Sequence, residues 1–75
     1  RMTGTLLDLA RQYGVTTPGG TRIDINLTNQ ELANLIGTTR ETANRILNDF
    51  RKSGVLEIER QKITITNEVR LRSWL

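Results

Sequence analysis

A short run of polar residues has the chemistry needed to contact the edges of nucleic-acid bases. Arg40 and Arg45 each offer a two-pronged donor that matches guanine O6 and N7, and Glu41 offers an acceptor for cytosine N4. Asn44 and Asn48 add amides to the same run. If the segment is helical, the four-residue spacing of Glu41 and Arg45 puts both on one face. The same spacing also suits an ordinary solvated helix, so the surrounding elements must decide.

Further polar residues suit the phosphate backbone rather than the bases. Hydroxyls, amides, flexible cations and the free N–H groups of a helix start all contact phosphate oxygens. Thr39, Thr42 and Asn44 lie beside the base-reading candidates, and Arg60 and Lys62 lie in a separate basic segment. For Thr28 we expect a helix cap as the main role and a phosphate contact as a second one.

Two successive capping patterns predict two helices joined by a tight turn. Thr28 and Glu31 have capping-box spacing, and an apolar side with Leu32, Ala33, Leu35 and Ile36 follows before Gly37 ends the helix. Thr38–Glu41 repeats the spacing, so a second helix begins about three residues later. Glu41 therefore has two possible roles, since its carboxylate can accept a hydrogen bond from the Thr38 N–H or from a base. The buried stripe of the second helix is Ala43, Ile46, Leu47 and Phe50, and Gly54 is its expected C-cap.

The remaining segments predict one further helix on each side and two hairpins. Met2, Leu6, Leu9, Ala10 and Tyr13 follow helical spacing over residues 2–13, with Gly14 as the end. Residues 23–27 alternate as a strand that pairs with the residues around Val15. Residues 55–59 and 63–66 form a second hairpin around the tip 60–62, and Asn67 caps a terminal helix that carries the following apolar residues: Val69, Leu71, Trp74 and Leu75.

This order of elements predicts an α+β winged helix-turn-helix, a three-helix core with small antiparallel β-hairpins. We expect one domain over 1–75, a helix-turn-helix unit at about 28–52 and a wing at about 55–66. In this setting the polar face of the second helix favours DNA binding over simple solvation. A winged-helix module for protein–protein interaction is the alternative, although Asn44, Arg45 and Asn48 are polar for a protein-binding face.

Composition narrows the function further. The net charge of +3 comes from 11 basic and 8 acidic residues, an excess that is compatible with nucleic acid but does not demand it. The chain has no cysteine and no histidine, and its acidic residues form no clustered metal site. We therefore expect no enzymatic activity, no cofactor and no metal, which disfavours a nuclease with a winged-helix accessory. No apolar run approaches a membrane span and no signal peptide opens the chain, so we expect a cytoplasmic protein.

The helix-turn-helix segment resembles the DNA-binding domain of the catabolite activator / fumarate-nitrate regulator (CRP/FNR) family. The resemblance rests on residues 27–33 and on 36–47, whose G-x-[ST]-R-E-T-x-x-R core is quite specific for the family, and it extends over essentially all 75 residues. It implies that Arg40 and Arg45 read guanines and that Glu41 reads the cytosine of a G·C pair, within a palindromic TGTGA-like half-site. It also implies that Gln30, Thr39, Thr42 and Asn44 hold the DNA backbone.

Two positions depart from the family pattern. Asn29 stands where members often carry arginine, and Glu59 stands in the wing where they carry a basic or neutral residue, so backbone contacts should differ at both. The resemblance further implies a sensor barrel and a dimerisation helix before this domain, neither of which is in this chain. Double-stranded DNA, a second copy of the protein and RNA polymerase are the expected partners of a transcription regulator or activator. The sequence does not identify the effector.

Overall fold

The computed structural model describes residues 1–75, and four helices alternate in it with four strands. The helices are α1 (Met2–Tyr13), α2 (Asn29–Ile36), α3 (Arg40–Lys52) and α4 (Glu68–Arg72). The strands are β1 (Gly14–Thr17), β2 (Gly20–Ile23), β3 (Leu56–Glu59) and β4 (Lys62–Ile65). The α+β winged helix-turn-helix fold predicted from the sequence is confirmed.

The two hairpins join into one antiparallel sheet with the strand order β1-β2-β4-β3. The junction is the β2–β4 ladder, in which Ile23 faces Ile63 and Thr21 faces Ile65. The second hairpin is the wing, and its register pairs Glu59 with Lys62 across a two-residue turn. The wing is therefore anchored by a strand on its inner side instead of projecting as an isolated hairpin.

One hydrophobic core lies between the helices and the inner face of the sheet. Every helix and the strands β2, β3 and β4 contribute to it, and its largest fully buried side chains are Leu6, Leu32, Leu56, Leu71 and Val55. Removal of these side chains from water is the main force that holds the helix-turn-helix unit against the wing.

Both turns that follow helices of the helix-turn-helix unit use a left-handed glycine. Gly37 ends α2 as predicted, whereas the C-cap of α3 is Ser53 and the expected Gly54 comes one residue later. Gly37 has φ 75°, and the Thr38 N–H donates to the Ala33 carbonyl at 2.9 Å. Gly54 has φ 78°, and the Val55 N–H donates to the Phe50 carbonyl at 3.2 Å. This pattern, the Schellman motif, satisfies the last carbonyls of a helix and fixes the direction in which the chain leaves it.

Gly14 also ends α1, but for a different reason. Its φ of −71° is open to any residue. A Cβ here would lie 2.1 Å from the Ala10 carbonyl oxygen and 2.9 Å from Thr21 Cγ2. Glycine is therefore required chiefly because a Cβ would clash with the backbone of the last turn of α1, and in addition because the Thr21 side chain of β2 lies close.

Several predicted positions are corrected by the structure. The strand expected at 23–27 lies at Gly20–Ile23, because β4 ends its pairing at Ile63 and leaves no partner for residues 25–27. Leu35 is 56% exposed, since the inward side of α2 consists of Leu32, Ala33 and Ile36.

The apolar sides of the two outer helices also differ from their prediction. In α1, Thr3 and Leu7 are buried and Tyr13 is exposed, so the inward side is rotated from the expected one. In α4, which Asn67 caps as predicted, only Leu71 is buried. Trp74 lies beyond α4 and packs on Phe50 with ring centroids 5.1 Å apart.

Candidate nucleic-acid interface

The start of α2 is a complete capping box. The Thr28 hydroxyl accepts from the Glu31 N–H at 3.0 Å, and the Thr28 N–H donates to Glu31 Oε1 at 2.9 Å. The hydrogen bond that the Thr28 N–H donates to the carboxylate, aided by the Thr28 side chain, lowers the pKa of Glu31 below its ordinary value of 4.5. Glu31 is thus committed to the helix start, although it lies at the surface.

The start of α3 is built differently from its prediction. The N-cap is Thr39 rather than Thr38, and its hydroxyl accepts from the Thr42 N–H at 3.2 Å. The Thr38 N–H already donates to the Ala33 carbonyl, so it is not available to Glu41. The capping box expected at Thr38–Glu41 is therefore wrong, and the carboxylate of Glu41 is left without a capping role.

All three base-reading candidates lie on the exposed side of α3. Arg40 is the first helical residue, Glu41 the second, and Arg45 lies one turn further on. Each is exposed, whereas Ala43, Leu47 and Phe50 on the opposite side are buried. The sequence thus predicted both sides of this helix correctly, with Ile46 only half-buried at the edge of the core.

Side-chain hydrogen bonds join the two helices of the motif and orient its smaller polar groups. The Asn29 amide of α2 donates to Asn44 Oδ1 of α3, which leaves the Asn44 N–H donors free to turn outward. The Thr39 hydroxyl donates to Thr42 Oγ1 at 3.0 Å, so the Thr42 hydroxyl proton is available for another acceptor. Gln30 donates to Asn34 Oδ1 at 3.0 Å and remains exposed.

A cleft of about 300 Å³ lies where these groups meet the wing. It is lined only by polar residues: Thr28, Asn29, Gln30, Arg40, Asn44 and Gln61. Gln61 is a residue that sequence reasoning missed. Its place in the turn of a basic hairpin was visible, but its approach to the starts of α2 and α3 is a long-range feature of the fold.

The wing tip has an unusual backbone. Arg60 and Gln61 both have positive φ, 51° and 66°, and they are the only non-glycine residues of the chain that do. The two-residue turn with positive φ at both positions normally contains Asn-Gly, because other side chains are strained there. Arg60 and Gln61 are both exposed on this turn.

The sequence analysis placed Lys62 in the turn, but Lys62 is the first residue of β4. Its ammonium donates to Asn26 Oδ1 at 3.0 Å and lies 3.5 Å from Asp24 Oδ1. Arg60 therefore remains as the one cation on the turn itself, while Lys62 already makes a hydrogen bond and an ion pair within the chain. Glu59, the unusual acidic residue of the wing, is exposed beside them.

No three carboxylate, imidazole or thiol side chains lie together in a way that would bind a metal ion. None of the helices combines the length and apolar character required to cross a membrane.

The fold and the polar face of α3 define a winged helix-turn-helix DNA-binding domain. Comparison with known proteins identifies its family: the chain belongs to the Crp-like helix-turn-helix domains, whose family model matches residues 1–74. It is 44% identical over 71 residues to the global nitrogen regulator of Synechocystis sp., and 47% identical over 55 residues to the anaerobic regulatory protein of Bacillus subtilis. These alignments cover 95% and 73% of the chain. The CRP/FNR resemblance inferred from the sequence is confirmed.

Solved structures agree with this assignment. The CO-dependent transcription factor CooA from Carboxydothermus hydrogenoformans has 31% identity and a TM-score of 0.90, with 99% of this chain and 34% of that chain covered. Reduced CprK, at 17% identity and a TM-score of 0.88, has the same fold over 100% of this chain and 36% of its own. The chain spans between about a quarter and a third of the length of the relatives it matches, 32% of the Synechocystis protein and 23% of the Bacillus protein. The Synechocystis and Bacillus relatives are named as regulators and CooA as a transcription factor, and this chain matches their Crp-like helix-turn-helix part.

Proposed function

We propose that α3 enters the major groove of a TGTGA-like half-site and that Arg40, Glu41 and Arg45 read its bases. The observation that carries the proposal is the start of α3, where Thr39 alone provides the cap. The three longer side chains stay exposed and free of capping. A guanidinium donates two hydrogen bonds to one guanine, and a carboxylate accepts from cytosine N4, so the set suits consecutive G·C pairs.

Around these residues, short polar groups hold the DNA backbone. Thr42 and Asn44 retain outward donors after their internal hydrogen bonds are made, and Thr39 lies at the same helix start. The N–H groups at the start of α2, with Thr28 and Gln30, offer further donors to phosphate. Because all of these groups donate to a repeating acceptor, they contribute affinity without choosing a sequence.

At the wing, Arg60 and Gln61 approach the DNA backbone from the other side of the cleft. Both occupy strained positions in which glycine or asparagine costs less free energy. Strain of this kind is retained at functional sites, which supports a role for these two side chains in contact with phosphate. Lys62 supports the wing through its hydrogen bond to Asn26 and its ion pair with Asp24.

The domain acts in pairs within a longer regulator. A palindromic site requires two copies related by a twofold axis, and a segment outside residues 1–75 would hold them together. The same longer protein would carry the sensor. In this account the chain itself has no catalytic activity, and its single domain serves only to place the regulator on DNA.

A protein–protein interaction module remains the second candidate. It would use the same exposed face of α3, but that face carries Arg40, Glu41, Arg45 and Asn48, which are costly to desolvate in a protein interface. The large exposed apolar residues lie elsewhere in the chain. DNA is therefore the ligand that the chemistry of the face favours.

The proposal is tested by selecting bound sequences from a random DNA pool, with the chain fused to a coiled coil that dimerises it. We expect paired half-sites that contain a GTG core, and affinity that falls steeply with salt, by about 0.9 log unit per log unit of salt for each neutralised phosphate. The matched control is a variant with Arg40, Glu41 and Arg45 changed to alanine, which should enrich no sequence. Enrichment of an unrelated core, or none by the unmodified chain, would contradict the proposal.

A further inference from the structure

A small polar cluster connects the wing to the loop that leads into α2. We call it the Asp24 cluster, and it consists of Arg22, Asp24, Asn26 and Lys62. Asp24 Oδ1 lies 3.5 Å from Arg22 Nε and 3.5 Å from Lys62 Nζ. Lys62 Nζ also donates to Asn26 Oδ1 at 3.0 Å. Lys62 is thus bound by two residues that precede it by 36 and 38 positions in the chain.

The loop that carries Asp24 is itself fixed at both ends. The Asp24 N–H donates to the Tyr13 carbonyl at 2.9 Å, which ties it to the end of α1. Four residues later the same loop becomes Thr28, the capping residue of α2. Asp24 and Asn26 therefore lie in the segment between β2 and α2, which is tied to the end of α1 and continues into the cap of α2.

Lys62, by contrast, belongs to the wing and lies directly after its turn. It pairs with Glu59 across the ladder, so the turn residues Arg60 and Gln61 are the only residues between the paired positions. A contact that fixes Lys62 therefore fixes the place of the turn. Gln61 lies in the cleft next to Thr28 and Arg40, as this arrangement requires.

From these contacts we infer that Asp24 is a positioning residue: through Lys62 it holds the wing so that Arg60 reaches the DNA backbone beside α3. This inference rests on the proposed function, because it concerns how DNA is bound. It assigns a favourable role in DNA binding to a carboxylate, a group that phosphates repel. Asp24 would act without touching DNA.

The competing interpretation gives the opposite sign. If Asp24 only screens the charges of Arg22 and Lys62, its removal frees two cations and brings the net charge from +3 to +4. Affinity for all DNA would then rise and its salt dependence would steepen. If Asp24 positions the wing, its removal lowers the affinity although the protein has become more positive.

The experiment compares Asp24→Asn with Asp8→Asn by titrating the 75-residue chain with a half-site duplex at several salt concentrations. Asp8 is a matched control, because it is an exposed carboxylate paired with Arg11 at 3.0 Å on α1. Exposed ion pairs contribute little to stability, so both variants should remain folded, which circular dichroism verifies. We expect about a fivefold loss of affinity for Asp24→Asn, with a salt slope lower by up to about 0.9, as for the loss of one phosphate contact.

A double-mutant cycle with Arg60→Gln separates positioning from a general structural effect. Since Asp24 acts through the wing turn, adding Asp24→Asn to Arg60→Gln should cause little further loss. An equal loss in both backgrounds, no loss at all, or a gain of affinity with Asp24→Asn would overturn the inference. Absence of DNA binding by the unmodified chain would instead refute the proposed function, so the two failures are distinguishable.

Discussion

The two helices of the motif begin with the same residue spacing but use their carboxylates differently. In α2, Thr28 and Glu31 cap each other, and the carboxylate is consumed by the backbone. In α3, the Thr39 hydroxyl accepts from the Thr42 N–H. Glu41 lies one residue before Thr42, which holds the position that Glu31 has in the capping box of α2. A shift of one residue in the helix start thus changes a structural carboxylate into one that is free for a ligand. Throughout this chain, the same contrast separates the polar residues that support the fold from those that are proposed to read bases.

The largest expected effect concerns the residues of α3 that are proposed to read bases. In its proposed role Arg45 makes a bidentate base contact, so Arg45→Ala should cost about 1–3 kcal/mol, roughly fivefold to a hundredfold in affinity, at one G·C pair. Binding to duplexes already mutated at that pair should be almost unchanged. Competition titrations with single-substitution duplexes measure this difference. Arg11→Ala, which removes the same charge from α1, is the control, and an equal loss at every sequence by Arg45→Ala would assign Arg45 to the backbone.

The two hairpin turns extend the comparison to the sheet. The β1–β2 turn uses Pro18-Gly19, whereas the wing turn carries Arg60 and Gln61 at positive φ. Replacing Arg60-Gln61 by Asn-Gly should raise the free energy of unfolding by on the order of 1 kcal/mol, because strain is relieved. The same change should weaken binding to all DNA sequences about equally. Urea unfolding and DNA titration together test this opposition, which would fail if both stability and affinity rose.

Thr28→Ala and Thr39→Ala should each lower the free energy of unfolding by about 1 kcal/mol, the usual cost of a lost N-cap. Both changes should leave the order of base preferences intact, since the two caps hold the helix starts and are not among the residues proposed to read bases. Denaturant unfolding and a base-substitution series measure the two effects. Serine at either position keeps the hydroxyl and should restore most of the loss. A changed base preference for either alanine variant would mean that the cap also reads sequence.

The smallest effect is the pH dependence of the α2 cap. Because hydrogen bonds from Thr28 lower the pKa of Glu31 in the folded chain, its carboxylate contributes stability above the unfolded value, near 4.5. That contribution is lost as the pH falls below this value. Glutamine keeps the capping geometry without the charge, so the stability advantage over Glu31→Gln should shrink as the pH falls from 6 to 3. An advantage that grows on acidification would contradict the sign.

Local signals in the sequence predicted much of this molecule. The cap at Thr28, the left-handed glycines 37 and 54 and the exposed side of α3 all depend on residues within one or two turns of each other. The start of α3 was misplaced because Thr38 and Thr39 are both possible caps. The choice is made by the Schellman turn, which uses the Thr38 N–H.

What the sequence did not predict depends on contacts between distant segments. The β2–β4 ladder joins the two hairpins, and Asp24 and Asn26 hold Lys62 from more than 35 positions away. Lys62 looked like part of a basic tip because local sequence contains no sign of these partners. Gln61 was overlooked for the same reason. Tertiary pairing, rather than residue type, therefore decides which polar residues of the wing remain free.

The most direct test of the account is the effect of Glu41→Ala on the complete base-preference profile. If Glu41 accepts from cytosine N4, the variant should lose preference at one base pair, and only the affinities for non-cognate sequences should rise. Asp49→Ala is the control, because it removes the same charge from the far part of α3, in the groove beside Phe50 and Trp74. A uniform gain of affinity across all sequences, with an unchanged profile, would show that Glu41 only repels phosphates and would contradict the base-reading role of α3 at this position.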